Sequence, residues 1–430
     1  MKVLVVGSGG REAALVWKIA QSPIVEKVYC APGNAGTSSY AINLPIAETD
    51  IVGLIKAVEQ EEIFLTVVGP ELPLTMGIVD AFEDRGLIIF GPRKNAAVLE
   101  GSKVFAKKLF KKYDLPTAED EQFTDAELAL QYVRKRNFPL VIKADGLAAG
   151  KGVVICADEA EAERTIQEMM VLRTFGDAGN QIVVEEFLEG EEASAIALID
   201  KNGHILILEF SQDHKRVGDG DTGLNTGGMG AYSPAPVVTP DVKVKVEEII
   251  RRTVAAMAQE GRPFVGVLYA GLMIKDGEPK LLEYNVRFGD PETQPLMLRM
   301  VSDIVPILLA CLRGCLDEIA IEWDLRPAVC VALAAFGYPE SPRKGARIWI
   351  ASVPGTENSR DAVIFHGGTA RNEKGELVVA GGRVLYGAAL GETFLEAQQN
   401  AYRQIARVQC NELFCRKDIA HRAIKRALRR

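Results

Sequence analysis

The sequence lacks any apolar run long enough to cross a membrane, since no segment approaches about 18 consecutive apolar residues. It also lacks an excess of positive charge: 50 Lys and Arg residues stand against 58 Asp and Glu residues, for a formal net charge of -8. Bulk electrostatics would not hold such an acidic chain on nucleic acid or on anionic lipid. We therefore expect neither a membrane nor a nucleic-acid partner.

The seven cysteines include no C-x-x-C pair. The closest spacings, Cys311 with Cys315 and Cys410 with Cys415, are weak evidence for a metal site. An odd number of scattered cysteines is typical of small buried side chains in a reducing compartment. We therefore expect a cytoplasmic protein.

The 430 residues have an ordinary globular composition, with 48% hydrophobic and 25% charged residues. At roughly 150 residues per domain, this length predicts about three domains. The chain contains no internal repeat or low-complexity segment. Disordered and fibrous classes of protein are thereby excluded.

Residues 1–100 alternate between short apolar runs and helical patterns. Strands are predicted at Val3–Val6, Lys27–Ala31, Phe64–Val68 and Leu87–Phe90, and helices at Arg11–Gln21, Ile51–Glu61 and Leu74–Arg85. This alternation predicts βαβ units and an α/β domain with a doubly wound parallel sheet. Ligands of such sheets bind at the carboxyl ends of the strands, where Gly or Pro follows each predicted strand here.

Residues 101–325 predict a second domain, in which a glycine-rich loop at 145–152 joins two strands. Thr124 and Glu127 form a capping box that predicts the start of a helix. The polar stretch Ser211–Pro236 is rich in glycine and is predicted to be an irregular, functional loop. Residues 326–430 predict a small α+β domain, whose basic tail Arg416–Arg430 is expected to present a solvated helix face.

The segment Gly7–Glu12 follows the first strand and opens a helix. Its backbone N–H groups and the helix dipole can bind a phosphate or another anion, although a tight turn without a ligand stays open. A dinucleotide fingerprint would need glycine in place of Glu12 and an acidic residue near Tyr29–Gly33, where none occurs. Hydride transfer from a nicotinamide cofactor is therefore disfavoured.

The segment Lys143–Gly152 resembles a P-loop but is not one. Three residues rather than four separate Gly146 from Gly150, and Gly152 rather than Ser or Thr follows Lys151. A glycine-rich loop between antiparallel strands can instead fold over a polyphosphate, with Lys143 and Lys151 neutralising phosphate charge. A flexible hairpin is the alternative, but it explains the two lysines among apolar neighbours less well.

Glu283, Asn285 and Arg287 alternate along a predicted strand and therefore share one of its faces. A carboxylate and an amide oxygen are hard donors suited to Mg²⁺. An adjacent arginine can stabilise an anion that is being transferred. The pair of metal donors is weak evidence alone, but with the lysine loop it indicates metal-dependent phosphoryl transfer.

Five longer segments carry a resemblance to a known family, and it extends over nearly the whole chain. They are Lys143–Gly152, Glu185–Ser194, Ser211–Arg216, Asn225–Tyr232 and Arg287–Gln294. Together they closely resemble the phosphoribosylamine–glycine ligase (glycinamide ribonucleotide synthetase) family of ATP-grasp enzymes. The opening of that family usually reads G-G-R-E-H-A, whereas Ala13 stands in place of the histidine here.

The resemblance implies an ATP-grasp core at 101–325, with a lid subdomain at about 118–190, between the N-terminal domain (1–100) and the C-terminal domain (326–430). It implies ATP-dependent ligation of glycine to 5-phosphoribosylamine through glycyl phosphate, in de novo purine biosynthesis. The products would be glycinamide ribonucleotide, ADP and phosphate. A carboxylate accepts an amine only after phosphorylation, and the acyl phosphate must be kept from water. Mg²⁺ or Mn²⁺ is the expected metal, and a monomer is expected.

The resemblance also implies roles for individual residues. ATP is expected to contact Lys103, Lys143, Gly146, Gly150, Lys151, Gly152, Glu185, Glu186, Phe187, Leu188 and Glu192. Glu283 and Asn285 are expected to bind the metal, and Arg287 to stabilise the transferring phosphoryl group. Residues expected to act in the glycine and amine pockets are Asp213, Lys215 and Asp290. The sugar-phosphate substrate is expected to contact Gly9, Gly10, Arg11, Glu12 and Asn34, with His214 as a candidate base in the polar loop.

Two alternatives to this reaction stay open. One is another ATP-grasp carboxylate–amine ligase or carboxylase with a different acceptor. The other is a non-enzymatic nucleotide-binding protein, which explains poorly why the metal donors and Arg287 occur together.

Overall fold

The computed structural model describes residues 1–147, 152–352 and 360–428. These residues form the mixed α/β architecture that the sequence predicts, built on several separate sheets. Every helix in the three ranges is too short or too polar to traverse a lipid bilayer.

The N-terminal part is a five-stranded parallel sheet with the strand order β3-β2-β1-β4-β5. Its elements are β1 (Lys2–Gly7), α1 (Gly10–Ile19), β2 (Lys27–Pro32), β3 (Ile42–Asn43), α2 (Ile51–Gln60), β4 (Leu65–Val68), α3 (Glu71–Met76), α4 (Ile78–Glu83) and β5 (Ile89–Phe90). The apolar side chains of β1 and β4 are buried because helices cover both faces of the sheet. The predicted helix Leu74–Arg85 is two helices, since Gly77 ends α3 with a φ of +98°.

Two helices lead from this sheet into a four-stranded antiparallel sheet with the order β6-β9-β7-β8. The elements are α5 (Lys94–Gly101), α6 (Lys103–Lys112), β6 (Asp120–Phe123), α7 (Ala126–Val133), β7 (Leu140–Ala144), β8 (Val153–Cys156), α8 (Glu159–Ile166) and β9 (Ile182–Glu186). Helices α7 and α8 pack on this sheet and share a separate hydrophobic core with it.

The cap of α7 is Asp125, and the predicted Thr124 cap was wrong by one residue. The Asp125 carboxylate accepts hydrogen bonds from the N–H groups of Glu127 (2.8 Å) and Leu128 (3.1 Å). Asp and Thr are both good N-caps, so the sequence alone does not decide which of the two side chains accepts from the first free N–H groups of the helix.

A third sheet is antiparallel, has the order β11-β10-β16-β17 and is formed by the middle part of the sequence. The elements of this part are β10 (Glu191–Ile199), β11 (Ile205–Ile207), β12 (Gln212–Asp213), β13 (Arg216–Gly218), β14 (Thr222–Asn225), β15 (Gly230–Ser233), α9 (Pro240–Gln259), β16 (Gly266–Lys275), β17 (Glu278–Asn285), α10 (Thr293–Arg299) and α11 (Ile304–Arg313). A bulge at Gly271–Leu272 shifts the register of β16 against β17 just before Glu283. The metal-donor candidates therefore lie at the end of a strand, next to Leu282, whose carbonyl accepts a hydrogen bond from Lys143 of the β6–β9 sheet.

The stretch Ser211–Pro236 contains four short strands, so the prediction of an irregular loop was wrong. β13 pairs with β14, and β12 pairs with β15. β15 in turn pairs with a strand about 100 residues later in the chain. Local glycine content could not indicate β15, because one of its hydrogen-bond partners is distant in sequence.

The C-terminal part adds strands to the pair β12 and β15, which gives a sheet with the order β12-β15-β18-β23-β20. Its elements are β18 (Ala328–Ala335), β19 (Trp349–Ile350), β20 (Ala362–His366), β21 (Thr369–Arg371), β22 (Leu377–Val379), β23 (Arg383–Leu390), α12 (Phe394–Ala406), β24 (Val408–Gln409), β25 (Leu413–Phe414) and α13 (His421–Ala427). Helix α12 packs on β18 and β23 and buries Ala397 and Ala401.

The sequence predicted that the basic tail presents a solvated helix face, and this prediction was wrong. The side chain of Arg416 is fully buried and pairs with Asp221 (2.9 Å) and Asp418 (2.8 Å). In α13, Arg422 also pairs with Asp221, at 2.6 Å. Carboxylates from a distant hairpin and from the tail itself compensate these charges, and a local charge pattern gives no sign of them.

Candidate active site

A cavity of about 910 Å³ lies between the β6–β9 sheet and the end of β17. Side chains of α6, β7, β9, β10, β12, β16 and β17 line it. A second cavity, of about 470 Å³, lies beside the start of α1 and is lined by both the N-terminal sheet and the C-terminal part. Asp290 lines both cavities.

Lysines predicted to contact ATP meet on one wall of the main cavity. The Lys143 ammonium group lies 2.9 Å from the Glu185 carboxylate and donates to the carbonyl of Leu282 at 3.2 Å. Lys103 donates to the carbonyl of Gly146 at 2.9 Å, and burial lowers its pKa. Gly146 and Gly152 also line this cavity, whereas the predicted ligands Gly150 and Lys151 lie outside the described residues.

The strand end at Glu185–Leu188 borders the same cavity. The Glu185 carboxylate is buried and also pairs with Lys107 at 3.3 Å, and Glu186 pairs with Lys280 at 3.1 Å. Both carboxylates are therefore engaged by protein cations, which leaves the backbone and Phe187, 37% exposed, to meet a ligand. Lys107 was missed by sequence reasoning, which singled out only Lys103 from helix α6.

The metal-donor candidates Glu283 and Asn285 both line the main cavity. No described residue donates a hydrogen bond to the Glu283 carboxylate or forms an ion pair with it. Burial acts to raise the pKa of Glu283, but nearby Lys215, Lys143 and Lys103 outweigh burial and lower it. An ionised, unpartnered carboxylate two residues from an amide oxygen is a donor set that fits a hard divalent cation.

Arg287 lies beside these donors and is held by two carboxylates. Its guanidinium group lies 3.3 Å from Glu71 and 3.1 Å from Glu100, and it donates to the Asn285 amide oxygen at 3.0 Å. Burial acts to lower the pKa of Arg287, but the charges of Glu100 and Glu71 outweigh burial and raise it. Sequence reasoning missed both carboxylates, although Glu71 follows strand β4 and the strand-end rule could have indicated it.

Burial acts to raise the pKa of both carboxylates, but the neighbouring cations oppose it to different extents. It raises the pKa of Glu100 to about 7 against the opposing charge of Arg287. For Glu71, burial also acts to raise the pKa, but Arg287 and Arg11 outweigh it and lower the pKa to about 2. Glu71 is therefore the carboxylate that holds the positive charge of this wall in place.

A mixed group of charges lies across the cavity. Lys215 pairs with Glu192 at 3.1 Å, and Asp213 and Glu292 lie in the same wall. Burial raises the pKa of Asp213, although Lys215 opposes this shift. Three acidic groups around one lysine can bind both ends of a small zwitterion, its carboxylate at Lys215 and its ammonium group at the acids.

The predicted sugar-phosphate residues are divided between several places. Gly9 and Asn34 line the second cavity, and the Asn34 amide donates to the carbonyls of Ser8 (2.8 Å) and His366 (2.9 Å). Arg11 lines the main cavity instead. Gly10 lines neither cavity, and a Cβ there would lie 2.2 Å from the Tyr386 ring.

Glu12 is not available to a ligand, which corrects its prediction as a substrate contact. It is 1% exposed, and its carboxylate accepts from the N–H of Gly9 at 2.6 Å and pairs with Arg11 at 2.5 Å. The residue therefore caps α1 and orients Arg11.

His214 lines neither cavity, although its ring lies 3.8 Å from Asp221, which lines the main cavity. Its role as a candidate base stays a prediction. Its Nε2 atom accepts a hydrogen bond from the N–H of Ala420 at 3.0 Å, and its side chain is fully buried. Burial lowers its pKa to about 4. His214 follows the end of β12, between the cavity residues Asp213 and Lys215.

Comparison with known proteins identifies the family. Models of the N, ATP-grasp (A) and C domains of phosphoribosylglycinamide synthetase match residues 1–100, 101–293 and 328–422. A phosphoribosylamine–glycine ligase of Yersinia pestis is 54% identical over 430 residues, covering 99% of this chain and 100% of the relative. One of Haemophilus influenzae is 50% identical over 434 residues and covers both chains completely.

The chain belongs to the phosphoribosylglycinamide synthetase family. This confirms the family, the fold class and the class of enzyme, an ATP-dependent ligase, that the sequence motifs predicted.

Solved structures agree with membership of the phosphoribosylglycinamide synthetase family. A phosphoribosylamine–glycine ligase from Thermotoga maritima is 36% identical, with a TM-score of 0.84, and the match covers 97% of this chain and 100% of that one. The biotin carboxylase domain of a Hydrogenobacter thermophilus 2-oxoglutarate carboxylase was solved with MgADP and bicarbonate. It is 15% identical, with a TM-score of 0.74 and coverage of 96% and 91%, and shares the fold.

Proposed function

We propose that this protein ligates glycine to 5-phosphoribosylamine with ATP, through glycyl phosphate, and releases glycinamide ribonucleotide, ADP and phosphate. The observation that carries the proposal is the ionised Glu283 carboxylate, which has no partner among residues 1–147, 152–352 and 360–428 and lies among Lys103, Lys143 and Lys215 in a cavity bordered by Arg287. A structural carboxylate would be paired at this depth, whereas a phosphate-binding site needs an oxygen donor among its cations.

The first half of the proposed reaction takes place in the main cavity. Lys103 and Lys143 bind the phosphates of ATP, and Lys215 binds the carboxylate of glycine. An oxygen of that carboxylate attacks the γ-phosphorus, the bond to the β-phosphate oxygen breaks, and ADP leaves with the bonding electrons. Arg287 stabilises the charge on the transferring group without moving, because carboxylates already fix its guanidinium group.

The metal belongs to this half of the reaction. Glu283 and Asn285 are the residues that would hold it, and Mg²⁺ or Mn²⁺ is the ion we propose. When bound, the cation supplies neutralisation of phosphate charge.

The second half joins the amine to the activated glycine. We propose that phosphoribosylamine enters the second cavity, with its phosphate near Gly9 and the start of α1, where the positive end of the helix dipole favours an anion. The amine then faces Asp290, which lines both cavities. Its nitrogen attacks the acyl carbon, and inorganic phosphate leaves.

We further propose the domain division 1–100, 101–325 and 326–430, with residues 118–190 as a lid over the nucleotide. The separate core of the β6–β9 sheet supports such a lid. A monomer in the cytoplasm is proposed because residues of one chain line both cavities and all seven cysteines are free.

The test is a product assay with the purified protein. Phosphoribosylamine is generated in the assay, and ADP and glycinamide ribonucleotide are measured with glycine, Mg²⁺ and ATP. We expect one ADP per product and neither without glycine. Alanine or serine in place of glycine should give little turnover. Equal turnover with another amino acid would indicate a ligase with different specificity, and ATP binding without turnover would overturn the proposed reaction.

A further inference from the structure

Arg383 lies at the boundary between the two cavities. It begins strand β23 in the C-terminal part and lines both cavities, as Asp290 does. The exposed fractions of the Arg383 and Asp290 side chains are 17% and 13%, so their charges face each other with little water between them. Sequence reasoning did not single out Arg383.

Protein acceptors occupy the terminal nitrogens of the Arg383 guanidinium group. Nη1 donates to the carbonyls of Gly227 (2.7 Å), Gly228 (3.2 Å) and Asp290 (2.6 Å). Nη2 lies 3.2 Å from an oxygen of the Asp290 carboxylate. The side chain therefore holds protein groups in position and is not arranged to bind a substrate.

Asp290 is held from three sides. Gln294 donates to Oδ1 at 2.9 Å, and Tyr386 donates to Oδ2 at 3.4 Å. Arg383 completes the set, so α10 and two residues of β23 together orient one carboxylate. That carboxylate lies where a group formed in one cavity would meet a group bound in the other.

The glycine pair at 227 and 228 makes room for this contact. A Cβ at Gly227 would lie 3.0 Å from Cζ of Arg383, and Gly228 has a φ of +114°. Gly227 lines the main cavity. Arg383 therefore ties a segment that borders the nucleotide cavity to the acid at the junction.

We propose that Arg383 is a positioning residue for the amine-transfer step, and this rests on the proposed function. It holds Asp290 so that the amine from the second cavity meets glycyl phosphate from the first. The nitrogen lone pair forms the C–N bond, the C–O bond to phosphate breaks, phosphate leaves with that electron pair, and the nitrogen proton passes to Asp290. The C-terminal part thereby couples the two halves of the reaction.

The test compares Arg383→Met and Arg383→Lys with the wild type. Each is assayed for ADP and glycinamide ribonucleotide over a range of phosphoribosylamine concentrations. Loss of the guanidinium group should lower kcat/KM for phosphoribosylamine by about 100-fold. The ratio of ADP to product should rise above about 3 as unprotected glycyl phosphate is hydrolysed. KM for ATP should change little, because the lysines of the nucleotide wall are untouched.

Arg347→Met is the matched control, since Arg347 is 60% exposed and pairs with Glu376 on the surface of the same C-terminal part. It should behave as wild type. Arg383→Lys keeps the charge opposite Asp290, so it serves if the Met variant does not fold, as judged by its melting temperature. A parallel fall of ADP and product, with their ratio unchanged, would assign Arg383 to the fold alone and overturn the proposal. So would unchanged kinetics. A wild type that makes no product would instead overturn the proposed function.

Discussion

At Glu283, the charges of several neighbouring side chains converge on a carboxylate that none of them contacts directly. Lys103, Lys143 and Lys215 lower its pKa from a distance, while burial opposes them. In contrast, Glu185 in the same cavity pairs directly with two lysines. The difference separates a carboxylate that orients cations from one that can bind a ligand.

We predict that Glu283→Gln lowers glycine-dependent ADP release by about 100-fold or more, even at saturating Mg²⁺. The amide keeps the shape of the side chain and removes the anionic donor that a hard cation needs. The measurement is ADP formation against Mg²⁺ concentration. Glu278→Gln is the control, because Glu278 is on the same strand but 72% exposed and pairs with Lys245. Turnover of Glu283→Gln at the wild-type rate would contradict the metal assignment.

At the scale of elements, the C-terminal segment 415–428 packs on the β13–β14 hairpin. Asp221 in that hairpin pairs with Arg416 and Arg422, and the backbone N–H of Ala420 donates to His214 beside it. Asp221 and Arg422 both line the main cavity. The basic tail therefore holds the hairpin that forms part of the cavity wall.

This contact should be sensitive to acid through His214. The folded protein protonates His214 only near pH 4, whereas an unfolded chain does so near 6.5. Between these values the unfolded state binds more protons, so stability falls as the pH falls. By pH 5, the loss should amount to about 2 kcal/mol.

The measurement is melting temperature at pH 7.5 and pH 5, for the wild type and for His214→Gln, whose amide can accept from Ala420 without titrating. The advantage of the wild type over this variant should shrink at pH 5. His204→Gln is the control with the opposite sign, because the hydrogen bond to Asp200 raises the pKa of His204. The stability that His204 contributes is present at pH 5 and is lost as the pH rises through its folded pKa. A wild-type advantage over His214→Gln that does not change with pH would contradict the account.

At the scale of the whole molecule, each cavity draws its walls from separate parts of the chain. Arg11 from helix α1 of the N-terminal part, Glu283 from the central sheet and Arg383 from the C-terminal part all border the main cavity. A ligand bound there contacts several parts at once. Binding should therefore stabilise the molecule as a unit, by RT ln(1 + [L]/Kd).

We predict that ATP raises the melting temperature and that Mg²⁺ increases this shift. A free nucleotide concentration of 100 times Kd would contribute about 2.7 kcal/mol. In Glu283→Gln, the shift caused by ATP with EDTA should remain, because Lys103 and Lys143 are intact, while the additional shift with Mg²⁺ should disappear. The measurement is thermal unfolding with ATP and EDTA, then with ATP and excess Mg²⁺. A full Mg²⁺-dependent shift in the variant would exclude Glu283 as a metal ligand.

The sequence by itself determined the alternating N-terminal sheet, the position of Lys143 at the end of a strand and the shared face of Glu283, Asn285 and Arg287. These features depend on spacing along a single strand or turn, so neighbouring residues suffice to predict them. The long motifs likewise determined the family.

Only the tertiary structure decided which charges are free to act. It buried His214 against Ala420 and brought Glu71 and Arg383 to the site from opposite ends of the chain. Pairing between residues 90 to more than 200 positions apart depends on how the sheets pack. A local pattern carries no information about a partner that the chain reaches only after folding.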